Sequence, residues 1–185
     1  MSLLKIARMG HPVLLRKADP VADPTGADIH RLVADMVETM QDAEGVGLAA
    51  PQVYASRRVI IFFAPDARAE DEGAHDIAPL TALINPEYGP VHDDKVVGWE
   101  GCLSIPGLNG AVPRFRHIWY RGWTPKGELI EREATGFHAR VVQHEIDHLD
   151  GVLYTMRMED LSLLAFSDEL RQRIRAEELD DSTGS

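Results

Sequence analysis

Apolar positions near the N-terminus follow a helical period. They form one stripe, made of Ile29, Leu32, Val33, Met36, Val37 and Met40. Spacings of three and four residues place these side chains on one face of an amphipathic helix over residues 29–40. Asp28 is the expected N-cap of this helix, and Gly45 follows its predicted end.

Shorter apolar runs in the middle of the chain indicate strands. Residues 59–63 form a continuous apolar run typical of a buried strand, and residues 80–85 are predicted as a second strand that Pro86 is expected to stop. Residues 118–123 and 128–134 are predicted as two further strands joined by a turn. The polar, acidic residues between the first two strands, 65–79, are predicted to be a surface loop.

Helical patterns return in the last third of the chain. Residues 137–149 are predicted to form one helix that stops at Gly151, and residues 159–179 a second, amphipathic one. The tail at 180–185 is expected to fray. Strands followed by a late helix indicate an α+β fold, and the length suits a single domain over residues 1–185.

Composition narrows the classes of function. The formal net charge is −11, from 30 acidic and 19 basic residues, which argues against a DNA-binding protein or any general binder of polyanions. Cys102 is the one cysteine, so no intramolecular disulfide forms, and such a chain suits a reducing compartment. No apolar run approaches the roughly 18 residues of a membrane span. These properties predict a cytoplasmic protein with no membrane association.

The chemistry-bearing residues are concentrated in the sequence Gln-His-Glu-Ile-Asp-His at 143–148. His144 and His148 are four residues apart, so a helix places both imidazoles on one face, where they can share one divalent metal ion. Glu145 lies beside them and can take a proton from water at the ion. This run therefore predicts a catalytic metal site that carries its own base.

A catalytic site of this kind needs a third protein ligand, and the sequence offers several candidates. The extension that places a third histidine after Gly151 fails, because Tyr154 occupies that position. Glu159 or Glu169 would supply a downstream carboxylate, as in zinc peptidases. Cys102 would supply an upstream thiolate. From the residues alone these choices stay open.

Three motifs in order make the chain resemble the peptide deformylase family over roughly residues 5–158. They are Gly-Val-Gly-Leu-Ala-Ala-Pro-Gln at 45–52, Glu-Gly-Cys-Leu-Ser at 100–104 and the metal motif at 143–148. The resemblance implies antiparallel sheets packed around the metal-binding helix. It also implies removal of the formyl group from the N-terminal formyl-methionine of newly made polypeptides. The partners it implies are N-formylmethionyl peptides and, transiently, the ribosome.

The resemblance also assigns a metal centre. It implies Cys102, His144 and His148 as ligands of one divalent ion, with water in the fourth position. The ion expected from the family is Fe²⁺, which Zn²⁺, Ni²⁺ or Co²⁺ can replace. Glu145 would act first as the general base and then as the general acid.

Further residues are expected around the reacting group. The Gln52 amide and the Leu103 N–H would stabilise the developing charge on the formyl oxygen. The substrate-binding residues implied by the resemblance are Val46, Gly47, Glu100, Gly101 and Val141. Among these, Val46 and Gly47 would pair with the peptide backbone, and Val141 would line the methionine pocket. Glu100 is also expected to pair with Arg114.

Three other functions are testable alternatives. A zinc endopeptidase with a downstream glutamate ligand would keep its metal after Cys102→Ser. A purely structural metal site would need a fourth protein ligand. An enzyme with Cys102 as nucleophile and His144 as base would stay active in the presence of chelators.

Overall fold

The computed structural model describes residues 2–65 and 76–183. Its helices are α1 (Ala27–Asp42), α2 (Gly136–Leu149) and α3 (Ser167–Thr183). Its strands are β1 (Gly47–Ala49), β2 (Val59–Ala64), β3 (Ala78–Pro90), β4 (Lys95–Cys102), β5 (Ile105–Phe115), β6 (His117–Trp123), β7 (Leu129–Thr135) and β8 (Leu164–Phe166). None of the helices in this part of the chain is long and apolar enough to cross a membrane.

The strands form two antiparallel sheets. One has five strands in the order β1-β2-β3-β6-β7, and the other has three in the order β4-β5-β8. With the helices, this is the α+β architecture that the sequence predicts.

The five-stranded sheet is covered by a helix on each face. Alternate side chains of β2 point to opposite faces, so Ile60 and Phe62 pack in the cluster that contains α2, while Val59 and Ile61 pack with α1. This two-sided burial explains why residues 59–63 are a continuous apolar run rather than an alternating one.

Helix α2 is buried along its whole length, from Gly136 to Leu149. It nevertheless carries seven polar or ionisable residues, which are His138, Arg140, Gln143, His144, Glu145, Asp147 and His148. Burying such groups is costly unless partners satisfy them. Each of these side chains therefore needs a hydrogen-bonding or ionic partner from the elements that pack around α2.

Two predicted element boundaries are wrong. Strand β3 does not stop at Pro86 but continues to Pro90, because a register shift between Ile84 and Glu87 leaves Pro86 outside the regular ladder. The predicted helix over residues 159–179 begins only at Ser167. The residues just before it form β8, which pairs with β5.

The ends of α1 also differ from the prediction. Gly26 is the N-cap, and Asp28 lies in the first helical turn, where its charge still complements the helix dipole. At the other end, Glu44 has a positive φ of 53°, and Gly45 donates its N–H to the Met40 carbonyl at 2.9 Å.

The predicted loop at 65–79 and the predicted frayed tail are described in part. Residues 66–75 lie outside the described residues, and strand β3 already begins at Ala78. Helix α3 continues through Thr183, and residues 184–185 lie outside the described residues.

Asp76 closes the N-terminal end of α2. Its carboxylate accepts hydrogen bonds from the Thr135 N–H at 2.8 Å and from Arg132 at 2.6 Å, and it lies 3.1 Å from His138 Nδ1. Thr135 is the N-cap residue of α2, and its own side chain makes no capping bond. Asp76 therefore caps α2 from a distant part of the chain.

We expect Asp76→Asn to lower the free energy of unfolding by about 1–3 kcal/mol near pH 7, because the capping carboxylate is lost. Burial raises the Asp76 pKa, but Thr135, His138 and Arg132 lower it by more, so the net pKa lies below 3.8. A carboxyl with a lowered folded-state pKa stabilises the fold above its unfolded pKa and loses that effect as the pH falls through the folded value. The part of the difference that comes from the charged carboxylate should therefore be fully present near pH 7 and shrink as the pH falls below 3.8.

Urea unfolding at several pH values measures this difference. Asp94→Asn is the matched control, because Asp94 pairs with Arg116 while both side chains are more than half exposed. A difference between wild type and Asp76→Asn that does not change with pH would contradict the assignment of the effect to the charged carboxylate.

Candidate metal centre and active site

Helix α2 brings two histidines of the sequence motif to one place. His144 and His148 lie one turn apart, with ring centroids 5.0 Å from each other. Cys102, at the end of β4, approaches the same point, and its Sγ lies 3.3 Å from His148 Nε2. The candidate ligand atoms of these three residues all lie within 4.8 Å of one another.

The end of β4 directs the cysteine toward the helix. The β4–β5 register shifts between Gly101 and Cys102, and such a bulge redirects the side chain that follows it. Burial raises the pKa of the Cys102 thiol, but the His148 and His144 imidazoles lower it by more, so the net pKa is well below its ordinary value. The arrangement thus favours the thiolate, which is the form that binds metals.

Glu100 fixes the orientation of His144. His144 Nδ1 donates to Glu100 Oε2 at 2.8 Å, which leaves Nε2 as the ligand atom of this ring. The predicted pair of Glu100 and Arg114 is present, with Arg114 donating to both carboxylate oxygens at 2.8 and 2.9 Å. Burial raises the Glu100 pKa, but the hydrogen bonds from Arg114 and His144 outweigh it and keep the carboxyl ionised.

The same arginine extends the ion pairs to the far side of α2. Arg114 also donates to Asp147 at 2.5 Å, and Asp147 in turn accepts from Arg157 at 2.7 Å. Burial lowers the Arg114 pKa, and the two carboxylates raise it by more. Asp147 lies within the sequence motif, but the sequence gives no sign of its partners.

Glu145 has a different environment from the other carboxylates. It is 4% exposed, and its Oε2 has no hydrogen-bonding partner among the described residues. Burial raises its pKa to about 7, although His144 and His148 lower it. The carboxylate lies against the Cα of Gly47, and a Cβ at that position would overlap it, so a larger residue there would displace the carboxylate.

Gln52 is held with its amide group turned toward the cysteine. Its Oε1 accepts the Ala49 N–H at 2.8 Å, and its Nε2 donates to Ser104 Oγ at 3.1 Å. That Nε2 is also 3.5 Å from Cys102 Sγ. Because the amide oxygen is fixed by the backbone, the amide nitrogen faces the group formed by Cys102, His144 and His148.

One cavity of about 520 Å³ opens onto this group. Its lining includes all the predicted site residues except His148, namely Val46, Gly47, Gln52, Glu100, Gly101, Cys102, Leu103, Val141, His144 and Glu145. The cavity lies between β1 and β4. Each of these is an edge strand, β1 of the five-stranded sheet and β4 of the three-stranded sheet. Phe137, Ile105 and Val141 supply an apolar part of the wall.

Residues proposed for other kinds of metal site lie elsewhere. Glu159 and Glu169 are exposed and do not belong to the group of Cys102, His144 and His148. Tyr154 is buried and stacks on His144 at a centroid distance of 6.2 Å, while its hydroxyl donates to the Leu108 carbonyl.

The cavity also contains residues that the sequence does not single out. These additional lining residues are Trp99, Asn109, Arg140 and Ser167. Arg140 lies on α2 one turn before His144. This spacing of four residues places both side chains on one face of the helix, but it does not by itself show that the arginine is buried or what it binds.

A family model, similar sequences and similar solved structures all point to the same protein family. The family model described as polypeptide deformylase matches residues 3–163. The chain is 51% identical to peptide deformylase 1 of Bordetella pertussis over 89% of this chain and 93% of that protein. It is 50% identical to peptide deformylase 1 of Xanthomonas axonopodis pv. citri over 90% of this chain and 96% of that protein.

Solved structures agree with these sequence matches. Peptide deformylase from Ehrlichia chaffeensis superposes with a TM-score of 0.80 at 30% identity, covering 97% of this chain and 99% of that one. The Met-Ala-Ser-bound class I type b peptide deformylase from Acinetobacter baumannii gives a TM-score of 0.77 at 37% identity, covering 85% of this chain and 99% of that one. On the family match, the sequence identities and the shared fold, the chain belongs to the polypeptide deformylase family.

Proposed function

We infer that this chain is a hydrolase that removes the formyl group from the N-terminal formyl-methionine of newly made polypeptides. The observation that carries this inference is that a thiol and two imidazoles lie together at a cavity that Glu145 also lines, with Glu145 Oε2 lacking a hydrogen-bonding partner among the described residues. The reaction consumes water and yields formate and a free amino terminus. It requires an activated water molecule, stabilisation of charge on the formyl oxygen and a proton for the amine.

The donor atoms of Cys102, His144 and His148 fit a divalent transition metal. A thiolate with two imidazoles suits iron, zinc, nickel or cobalt, and three protein ligands leave a coordination position for chemistry. Burial of the group, and the carboxylate of Glu100 on His144, are the surroundings that such ligands need. We propose Fe²⁺ as the resident ion, with Zn²⁺, Ni²⁺ or Co²⁺ able to replace it. When bound, the ion supplies Lewis acidity, which makes water easier to deprotonate and polarises a carbonyl group.

Glu145 is the proposed general base and acid. Its pKa of about 7 allows it to accept a proton from the attacking water and to return that proton to the departing amine. Gly47 has no side chain and so leaves the space that this carboxylate occupies. With Oε2 unpartnered among the described residues, that oxygen is available to take the proton.

Gln52 and Leu103 are the proposed stabilisers of the formyl oxygen. Gln52 has its amide nitrogen fixed toward Cys102, and Leu103 supplies the backbone N–H that follows the cysteine. Hydrogen-bond donors that are fixed before the reaction lower the cost of the charge that develops, by about 3 kcal/mol for each donor.

We propose that the peptide lies between the free edges of β1 and β4. The Val46 carbonyl accepts the Phe63 N–H at 2.9 Å, so on β1 the peptide groups of Gly47 are the ones directed to the free edge. On β4, Gly101 offers the corresponding backbone. The Met-Ala-Ser peptide bound by the Acinetobacter baumannii enzyme supports peptide binding in this cavity.

The methionine side chain is proposed to enter the apolar part of the cavity, beside Val141. Glu100 also lines the cavity, but both of its oxygens are engaged by Arg114, Arg140 and His144. We therefore propose that Glu100 orients His144 and does not bind the peptide itself.

The substrate class indicates where in the cell the enzyme would act. We propose a cytoplasmic enzyme that contacts the ribosome transiently, because newly made chains emerge there. The acidic residues at 177–181 disfavour docking on RNA through the C-terminal end. Both sheets and α2 contribute to one cavity, which supports treating residues 1–185 as a single domain.

The test is release of formate from formyl-Met-Ala-Ser by anaerobically purified protein. We expect release that is lost after treatment with a chelator and restored when Fe²⁺ or Co²⁺ is added back. Activity that persists in metal-free protein would contradict the metal-dependent mechanism. Fully metallated protein that releases no formate would contradict the proposed function.

A further inference from the structure

Arg140 is a buried arginine on α2, one turn before His144 and 3% exposed. Its guanidinium donates to Glu100 Oε1 at 3.0 Å and to the Val112 carbonyl at 2.9 Å. It also donates to the Val96 carbonyl at 3.1 Å. With a longer hydrogen bond to the Gly98 carbonyl at 3.5 Å, this one side chain of α2 binds β4 at three points and β5 at a fourth.

The proposed metal ligands are divided between the same elements. Cys102 is at the end of β4, in the three-stranded sheet, whereas His144 and His148 are on α2, which packs on the five-stranded sheet. A metal site needs its ligands fixed relative to one another. The contacts of Arg140 fix β4 relative to α2 at Glu100, which binds His144 and precedes Cys102 by two residues.

Arg140 also completes the hydrogen bonding of Glu100. Glu100 Oε1 accepts from Arg114 and Arg140, and Glu100 Oε2 accepts from Arg114 and His144. The two arginines approach from different elements, since Arg114 is on β5 and Arg140 on α2. With both in place, the carboxylate plane is fixed and Oε2 is directed at His144 Nδ1.

Gly98 gives Arg140 the room that it needs. A Cβ on Gly98 would lie 2.5 Å from Arg140 Nη2, so any larger residue at this position would displace the guanidinium. The fit is specific to arginine, because its planar fork reaches several acceptors at once, whereas a lysine ammonium is a compact point charge.

We propose that Arg140 is a positioning residue of the metal centre, which holds the strand of Glu100 and Cys102 in register with His144 and His148. The inference rests on the proposed function for the identity of the ligands, but its effect is on metal binding. Arg140 binds the Glu100 carboxylate and backbone carbonyls of β4 and β5. It acts through Glu100 and through the backbone of β4 and β5.

The experiment measures zinc affinity of the full-length protein, by competition with a chromophoric chelator, for Arg140→Lys and Gly98→Ala. The first variant keeps the charge but loses the fork, and the second keeps Arg140 but displaces it. Arg58→Lys is the matched control, because Arg58 also bridges a carboxylate and a carbonyl, those of Asp150 just after α2 and Leu149 at its end, without contacting Glu100 in these bonds. The absorption spectrum of the Co²⁺-loaded protein reports the geometry of the ligands.

We expect both variants to bind zinc about 10- to 100-fold more weakly than wild type, with an altered Co²⁺ spectrum at saturation. Arg58→Lys should bind zinc like wild type, whatever its melting temperature. Wild-type zinc affinity and an unchanged Co²⁺ spectrum in folded Arg140→Lys would overturn the proposal. Should Arg140→Lys fail to fold, Gly98→Ala decides by the same two criteria.

The readout separates this proposal from the proposed function. If wild-type protein bound zinc through Cys102 but released no formate, the proposed function would fail while the Arg140 measurement stayed interpretable. If wild-type protein released formate and the variants bound zinc normally, the positioning role alone would be overturned.

Discussion

Glu145→Gln is expected to lower the turnover rate for formate release by about 10²- to 10⁴-fold while zinc or iron binding is retained. The amide has nearly the same shape as the carboxylate but cannot accept a proton from water. Its neighbours His144 and Cys102 are unchanged, so the metal centre should still form. Measured turnover rates and metal content of the two proteins test this directly.

The stability of the Glu145→Gln protein gives a second, independent expectation. Glu145 is buried, and its Oε2 has no partner among the described residues, so its charge is held at a cost to the folded state. The variant should therefore have the same melting temperature as wild type or a higher one. This is the behaviour expected of a residue that is needed for activity but destabilises the folded state. Glu133→Gln is the control, since Glu133 is exposed and pairs with His117. Turnover above about one tenth of wild type would contradict the assignment of Glu145 as the base.

The sequence predicts the parts of this fold whose patterns are local. The helical stripe at 29–40 and the apolar run at 59–63 correspond to α1 and β2, because burial on one helix face or on both faces of a strand leaves a periodic signature. The four-residue spacing of the two histidines likewise predicts their shared position.

The hairpin of β4 and β5 was not predicted, and the reason is physical. Glycines and prolines interrupt residues 95–115, and the pairing depends on register between strands rather than on a period within either one. The same holds for β8, whose three residues become a strand because β5 offers an edge. Pairing with a distant partner overrides local preference in both cases.

The hydrogen bonds that orient His144 through Glu100 are predicted only in part from the sequence. The pair of Glu100 and Arg114 was expected, because the resemblance places both near the cysteine. Arg140 was not, since a charged residue on a helix ordinarily indicates a solvent-exposed face. Its burial is possible only because Glu100 and several carbonyls of the three-stranded sheet meet it there. That information is tertiary, and no short window of the sequence contains it.

Cys102→Ser is expected to abolish stable metal binding and, with it, formate release. A serine hydroxyl stays protonated near neutral pH, whereas the Cys102 thiol has a pKa well below its ordinary value. Removing a group that only hydrogen-bonds to a ligand weakens binding about 10- to 100-fold, so loss of the ligand itself should exceed that range. Metal content after dialysis and competition with a chelator measure the effect.

Variants of the alternative ligands make this result decisive. If a downstream glutamate completed the site, as in a zinc peptidase, Glu159→Gln or Glu169→Gln would release the metal and Cys102→Ser would not. Both glutamates are exposed, whereas Cys102 lies 3.3 Å from His148 Nε2, so we expect the reverse. A cysteine that acted as nucleophile instead would leave metal content unchanged in Cys102→Ser while activity disappeared. Loss of metal and activity together, with both glutamate variants unaffected, is the pattern that a ligand role for Cys102 requires.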